Sequence, residues 1–202
     1  MTPNPADASA DAPADDHPDL SVEDFEELAR VAPEGVKLEF VNGELKVKPL
    51  PDQLHKAIVM WLLRVCMQQR PELMFYPEQE LKVDTYRNGR AIADGALAPI
   101  DHFVASPDMW GAPEGVLMVV EVTSPGAKAR NRDLVEKRDG YAAVGIPVYL
   151  LVDRETTTLH VFTEPEHGAY RTEESHPFGD PVPLPSPVDI TLDTDKLKDY
   201  VS

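Results

Sequence analysis

Three observations predict a single compact α/β domain. Residues 116–122 (VLMVVEV) are almost wholly apolar, the pattern of a central strand buried on both faces. A helix-like stretch at 131–144 and a second apolar strand at 147–153 (PVYLLVD) follow it, which is the spacing of a βαβ unit with a right-handed crossover. Upstream, two alternating stretches at 36–41 and 44–48 flank Asn42-Gly43, a hairpin turn in which both positions want positive φ.

The other elements follow in chain order. Residues 1–20 hold Pro, Ala and Asp with almost no large apolar groups, so they are expected to form a disordered acidic tail. The core domain is expected over 21–176. Ser21 followed by Asp24 resembles a capping box, and Phe25, Leu28 and Ala29 fall on one helical face, predicting a helix at about 21–31. Ala57, Ile58, Trp61, Leu62, Val65 and Cys66 make a helical stripe over 52–69, which Pro71 ends. Strands are expected at 73–84 and 91–98, turned by Asn88-Gly89, and a Pro- and Gly-rich loop at 99–114. Gly145 is placed to cap the helix at 131–144. Closing strands are expected at 157–163 and 169–174. Residues 177–202 form a proline-rich extension over the surface, with a short helix near 193–200.

Composition narrows the function. No apolar run approaches the roughly 18 residues that span a bilayer, and no signal peptide is visible, so a cytoplasmic protein without a membrane partner is expected. The lone cysteine, Cys66, allows no intramolecular disulfide and reads as a small buried residue. The net charge of -17 opposes a nucleic-acid partner, because phosphate binding needs local positive charge. That charge is uneven: residues 1–20 carry -5, residues 164–202 carry -6, and the 143 residues between carry only -6. The middle also holds a basic cluster of Lys128, Arg130, Arg132, Lys137 and Arg138. The six histidines show no HxxxH or HExxH spacing, and GxxxxGK[ST], GxGxxG and GxSxG are absent. Zinc hydrolases, nucleotide binders and serine hydrolases therefore lack their motifs.

Two carboxylates sit where a carboxylate is expensive. Glu121 lies within the most apolar strand, near the carboxyl end at which open α/β sheets place ligands. The bland alternative is a strand-end residue reaching solvent. Asp94 lies in the short strand AIADGALA without a polar neighbour, and Gly95 beside it admits a close approach. Alone it reads as a turn or cap; with Glu121 it forms a hard-cation pair of the kind Mg²⁺ takes. Asp133, Lys137 and Tyr141 share a helical face, either as a solvated ion pair or with Lys137 pointed at Glu121. Glu39, between Leu38 and Phe40, reads as solvent-facing, and His55 as a lone histidine more often structural than ligating.

The blocks LEFVNGEL, ADGALAP, VVEVTSP and NRDLVEKRDGYAAVGIPVYLLVD together resemble the Uma-two family of restriction endonucleases, within the PD-(D/E)XK nuclease superfamily. The resemblance runs from about residue 21 to 163. It implies a restriction-endonuclease-like mixed β-sheet flanked by helices, preceded here by the N-terminal helix and hairpin. It implies a Mg²⁺ (or Mn²⁺) ion held by Asp94, Glu121 and the Val122 carbonyl. It implies Lys137 as the catalytic lysine moved to the following helix, with Glu39 and His55 at positions where the family also tends to keep an acidic residue and a histidine. Asp133 and Tyr141 are expected in support from the helical face they share with Lys137. Ala93 stands for the proline of "PD", and Thr123 occupies the lysine position of (D/E)XK. The expected activity is endonucleolytic hydrolysis of DNA, with Lys128, Arg130 and Arg132 on the DNA backbone and a homodimer as the assembly that cutting both strands would call for. The competing reading, suggested by Thr123 and the acidic tails, is a catalytically inactive nuclease fold serving as an interaction module.

Overall fold

The computed structural model describes residues 20–83, 88–104, 108–123 and 132–200, with only the backbone of 132–134. The expected disordered tail falls on residues that, apart from Leu20, lie outside the described ones.

The chain folds as a mixed sheet flanked by helices. Helix α1 (Val22–Val31) starts where expected, with the Ser21 hydroxyl accepting from the Asp24 N–H. It buries Phe25, which stacks on Phe40 with ring centroids 5.3 Å apart, but leaves Leu28 largely exposed. The hairpin β1 (Lys37–Val41) and β2 (Glu44–Lys48) turns through Asn42 (φ 55°) and Gly43 (φ 78°), pairing Val41 with Glu44. Helix α2 (Gln53–Gln69) buries Ile58, Trp61, Leu62 and Cys66, and burial pushes the Cys66 thiol up to about 12. Strands β3 (Leu73–Val83) and β4 (Gly89–Pro99) form a long antiparallel pair. Strand β5 (Met118–Val122) then pairs in parallel with β6 (Val148–Asp153). Between them the expected α-helix opens instead as a π-helical turn, Arg132–Lys137, and continues as α3 (Arg138–Ala143). Gly145 (φ 74°) closes it, donating to the Ala142 carbonyl. Strands β7 (Thr158–Glu166) and β8 (Ala169–Pro177) complete the sheet, in the order β2-β1-β4-β5-β6-β7-β8 with β3 also on β4.

The two sheet faces carry different cores. Met118, Val120 and Val122 of β5 point to the main core with α2; Val119 points to a second core with Tyr141, Tyr149 and Phe162. This alternation explains why β5 is apolar at nearly every position. The C-terminal segment does not simply lie over the surface. Its hairpin, β9 (Pro181–Leu184) and β10 (Ile190–Asp193), sends Val182, Leu184, Ile190 and Leu192 into the main core. A 3₁₀ helix, Thr194–Tyr200, adds Leu197. Among the described residues no helix is long and apolar enough to cross a membrane.

Strand β3 is irregular across from Asp94. Leu73 and Phe75 of β3 belong to the main core, yet Leu81 and Val83, of the same parity, belong to the second. The change falls near Glu78, whose φ is 51°, directly across from Asp94 in the β3–β4 register. Beside Asp94, a Cβ on Gly95 would lie 2.1 Å from the Phe75 ring, so the close neighbour that glycine admits is an aromatic ring. Gly95→Ala should therefore cost about 1–3 kcal/mol, the usual penalty of overpacking. Unchanged urea unfolding of that variant would contradict this packing.

Candidate active centre

The site occupies a gap in the sheet. Strand β3 pairs along the length of β4, so β1 and β5 must share its other edge. Strand β1 meets that edge at Arg90 and β5 meets it from Gly95 to Leu97. Between these contacts the backbone of β4 turns ladder groups toward side chains. Buried backbone groups need partners, and here charged side chains supply them. The Ile92 N–H donates to Glu39 Oε1 at 2.9 Å. The Ile92 carbonyl accepts from Lys48 Nζ at 2.6 Å and from Lys137 Nζ at 2.9 Å.

Asp94 stands at the lower lip of this gap. Extending the β4–β5 register by one step sets it opposite Glu121. Its Oδ2 accepts from the Val122 N–H at 2.8 Å and lies 3.2 Å from His55 Nε2; its Oδ1 lies 2.7 Å from Lys48 Nζ. Burial alone would raise its pKa. The Lys48 charge and the His55 hydrogen bond, with further help from the His55 and Lys137 charges, outweigh burial and hold the carboxyl well below the usual range. Asp94 is thus an ionised, fixed acceptor.

Glu121 receives the helix that follows its strand. Lys137 Nζ lies 2.9 Å from Glu121 Oε1 and 2.7 Å from Glu39 Oε1. The Tyr141 hydroxyl donates to the same Glu121 oxygen at 2.6 Å. Lys137 is the last residue of the π-helical turn and Tyr141 lies one α-turn beyond it, so the two converge. Burial first, then the neighbouring Glu121 charge, pushes the Tyr141 phenol far up, keeping it a neutral donor. Glu39, Glu121 and Lys137 are each at most 1% exposed.

Sequence expectations fare unevenly here. Asp94, Glu121, Lys137, Tyr141, Glu39 and His55 all converge, and the Val122 N–H joins them. The solvent-facing reading of Glu39 is wrong: β1 is buried on both faces, Phe40 against Phe25 and Glu39 toward the site, while on β2 it is Leu45 and Val47 that are exposed. Lys48 was missed altogether, although it is buried in the centre. Its signal was the two-residue turn, which pairs Glu39 with Lys46 and so puts Lys46 and Lys48 on the face of Glu39. Lys46 reaches Glu136 on the π-helical turn. Lys128 and Arg130 lie outside the described residues, as do the side chains of Arg132 and Asp133. Of the remaining basic cluster, Lys137 is consumed by the site and Arg138 pairs with Asp139 at 2.9 Å.

Thr123, at the position where the (D/E)XK pattern has its lysine, turns elsewhere. Its hydroxyl accepts from the Arg154 N–H at 3.0 Å, beside Asp153. Arg154 in turn holds Asp52 at 2.8 Å, and Asp52 caps α2 by accepting from the His55 N–H. That backbone hydrogen bond, then Arg154, holds the Asp52 carboxyl below its ordinary value. Asp52→Ala should cost about 1 kcal/mol as a lost cap. The depressed carboxyl contributes fully at neutral pH, above its unfolded value of about 4, and progressively less as pH falls below it. Urea titrations at neutral and acid pH check this; a loss independent of pH would contradict it.

The donor set suits a hard cation. Mg²⁺ takes one or two carboxylates and fills its remaining positions with waters and phosphate oxygens. Asp94 and Glu121, buried and facing across parted strands, provide such a pair. Among the described residues, no group of three or more His, Cys, Asp or Glu side chains forms a fuller metal cage.

Comparison with known proteins agrees with the architecture. No curated protein matches the chain. Among solved structures, one from Anabaena variabilis ATCC 29413, described as "a putative nuclease belonging to DUF820", superposes with a TM-score of 0.70. It shares 14% identity and the match covers 90% of this chain and 98% of that one, which is a likeness of fold. A family model described as "Uma2: Putative restriction endonuclease" matches residues 22–195, and the chain belongs to that family.

Proposed function

We propose that this chain is a Mg²⁺-dependent endonuclease that hydrolyses DNA phosphodiester bonds through a PD-(D/E)XK-type site. The observation that carries the reading is the convergence of Asp94 and Glu121 across the parted β4 and β5, with Lys137 2.9 Å from Glu121. Family membership supports a nuclease, and the family's description as restriction endonuclease supports DNA as substrate.

In this reading Asp94, Glu121 and the Val122 carbonyl hold the ion. A bound Mg²⁺ would polarise the scissile phosphate and lower the pKa of a coordinated water. The protein's own groups prepare that position. The Val122 N–H and His55 fix both the charge and the orientation of Asp94. Tyr141 and Lys137 together fix one oxygen of Glu121, leaving the carboxylate a single orientation. Glu39 holds Lys137 from the other side, so its ammonium is placed before substrate arrives. A preplaced positive charge in a buried site stabilises charge developing on the phosphate without reorganisation. Thr123 need not be a lysine, because the cation comes from the helix.

Purified protein is expected to nick plasmid DNA with Mg²⁺ or Mn²⁺ and to stop when EDTA is added. Cutting that persists in EDTA, or no cutting by protein shown to bind Mn²⁺, would sink the proposal.

A further inference from the structure

The site holds one more cation than the proposed chemistry uses. Three carboxylates (Glu39, Asp94 and Glu121) are buried with two ammoniums, Lys48 and Lys137. Lys137 serves Glu39 and Glu121, while Lys48 is seated on Asp94 Oδ1 at 2.7 Å, its side chain only 6% exposed. Both ammoniums also converge on the Ile92 carbonyl. Both Asp94 oxygens are thus engaged, Oδ1 by Lys48 and Oδ2 by the Val122 N–H and His55.

We propose that Lys48 is a built-in counter-cation that a divalent ion must displace from Asp94 in order to bind. The inference rests on the metal-dependent reading above and adds a gate to it. Charge decides the direction. Among the described residues of the site the carboxylates exceed the ammoniums by one, with His55 beside Asp94. Adding a divalent ion with both lysines in place leaves the buried site with a net positive charge. If the ion takes the place of Lys48, the site ends one charge less positive than it would by addition, whatever His55 contributes. An uncompensated buried charge is strongly unfavourable, so exchange is preferred over addition. The arrangement also keeps Asp94 compensated when no metal is bound, so the fold does not depend on the ion. Lys48 has the means to leave: it ends β2, an edge strand whose outer residues are exposed, and Pro49 follows it. Its own two partners in the site are Asp94 and the Ile92 carbonyl, and the latter keeps Lys137 when Lys48 withdraws.

The test is a calorimetric titration of the full chain with Mn²⁺, without DNA. Lys48→Met and Lys48→Gln should each bind Mn²⁺ about tenfold or more tightly than the unaltered protein, because a like charge within a few ångströms is removed. Lys48→Arg, which keeps the charge, should not. Equal or weaker binding by both neutral variants, with the unaltered protein binding, overturns the gate and leaves the metal-dependent reading standing. No binding by any of these proteins overturns both. A second measurement leaves Lys48 itself unaltered: amine acylation followed by mass spectrometry. Lys48 should be protected in EDTA and label several-fold faster in saturating Mg²⁺, and this increase should vanish in Glu121→Gln. Labelling of Lys48 that does not respond to Mg²⁺ in a protein that binds it overturns the proposal.

Discussion

Lys137→Ala is expected to reduce DNA cutting by about 10²–10³-fold or more, the usual cost of removing one preorganised charge-stabilising donor. It should also destabilise the fold by about 3–5 kcal/mol, because breaking a buried ion pair leaves its partners charged and uncompensated. The second effect follows from the geometry of the ion pairs. Lys137 bridges Glu39 and Glu121 at 2.7 and 2.9 Å, and both carboxylates are buried. Stability and activity can be separated by adding Glu39→Gln. The double variant removes one of the two stranded charges and should regain part of the lost stability, with a coupling of about 0.5–3 kcal/mol. It should regain no cutting, since the ammonium is still absent. Denaturant titrations of the four proteins give the cycle, and a plasmid assay gives the activity. Full activity in Lys137→Ala would remove the lysine from the chemistry.

How far this site was legible in the sequence depends on the element. Asp94 and Glu121 were visible because each interrupts an apolar strand, and such a residue needs a partner whatever its role. Lys137 and Tyr141 were visible as a shared helical face, but the aim of that face was not. It depends on a π-helical turn for which helical periodicity provides no signal. The hairpin failed in the opposite way. Its turn and register were legible from Asn42-Gly43, and so was the burial of Phe40, but Glu39 and the two faces of β2 were read the wrong way round. The rule that the apolar face of an amphipathic strand points inward assumes that the interior is apolar. Here the interior beside β1 is the gap in the β4 edge, where Ile92 requires polar partners. Glu39 and Lys48 therefore turn inward, and Leu45 and Val47 turn out. The same gap explains why the site could not be assembled from sequence alone. It is created by β1 and β5 meeting one edge of β4 at different heights, which is a matter of long-range pairing.

Asp94→Asn is expected to abolish cutting and to destabilise the metal-free protein by about 3–5 kcal/mol. The asparagine oxygen can still accept from the Val122 N–H, so the hydrogen bond that bridges the parted strands survives. What is lost is the charge. Lys48, seated 2.7 Å from Asp94, is then a buried ammonium without its carboxylate. If that stranded charge is the main cost, neutralising it should reverse most of the loss. Asp94→Asn with Lys48→Met should therefore be markedly more stable than Asp94→Asn alone in EDTA, although it carries one more substitution. It should remain inactive, because the carboxylate that would hold the ion is still missing. The two readouts then move in opposite directions: stability returns and cutting does not. A double variant no more stable than Asp94→Asn would mean that the fold needs Asp94 for its hydrogen bonds rather than its charge. In that case the buried ammonium on β2 would not be what Asp94 balances. Cutting by either variant would place the ion on other residues.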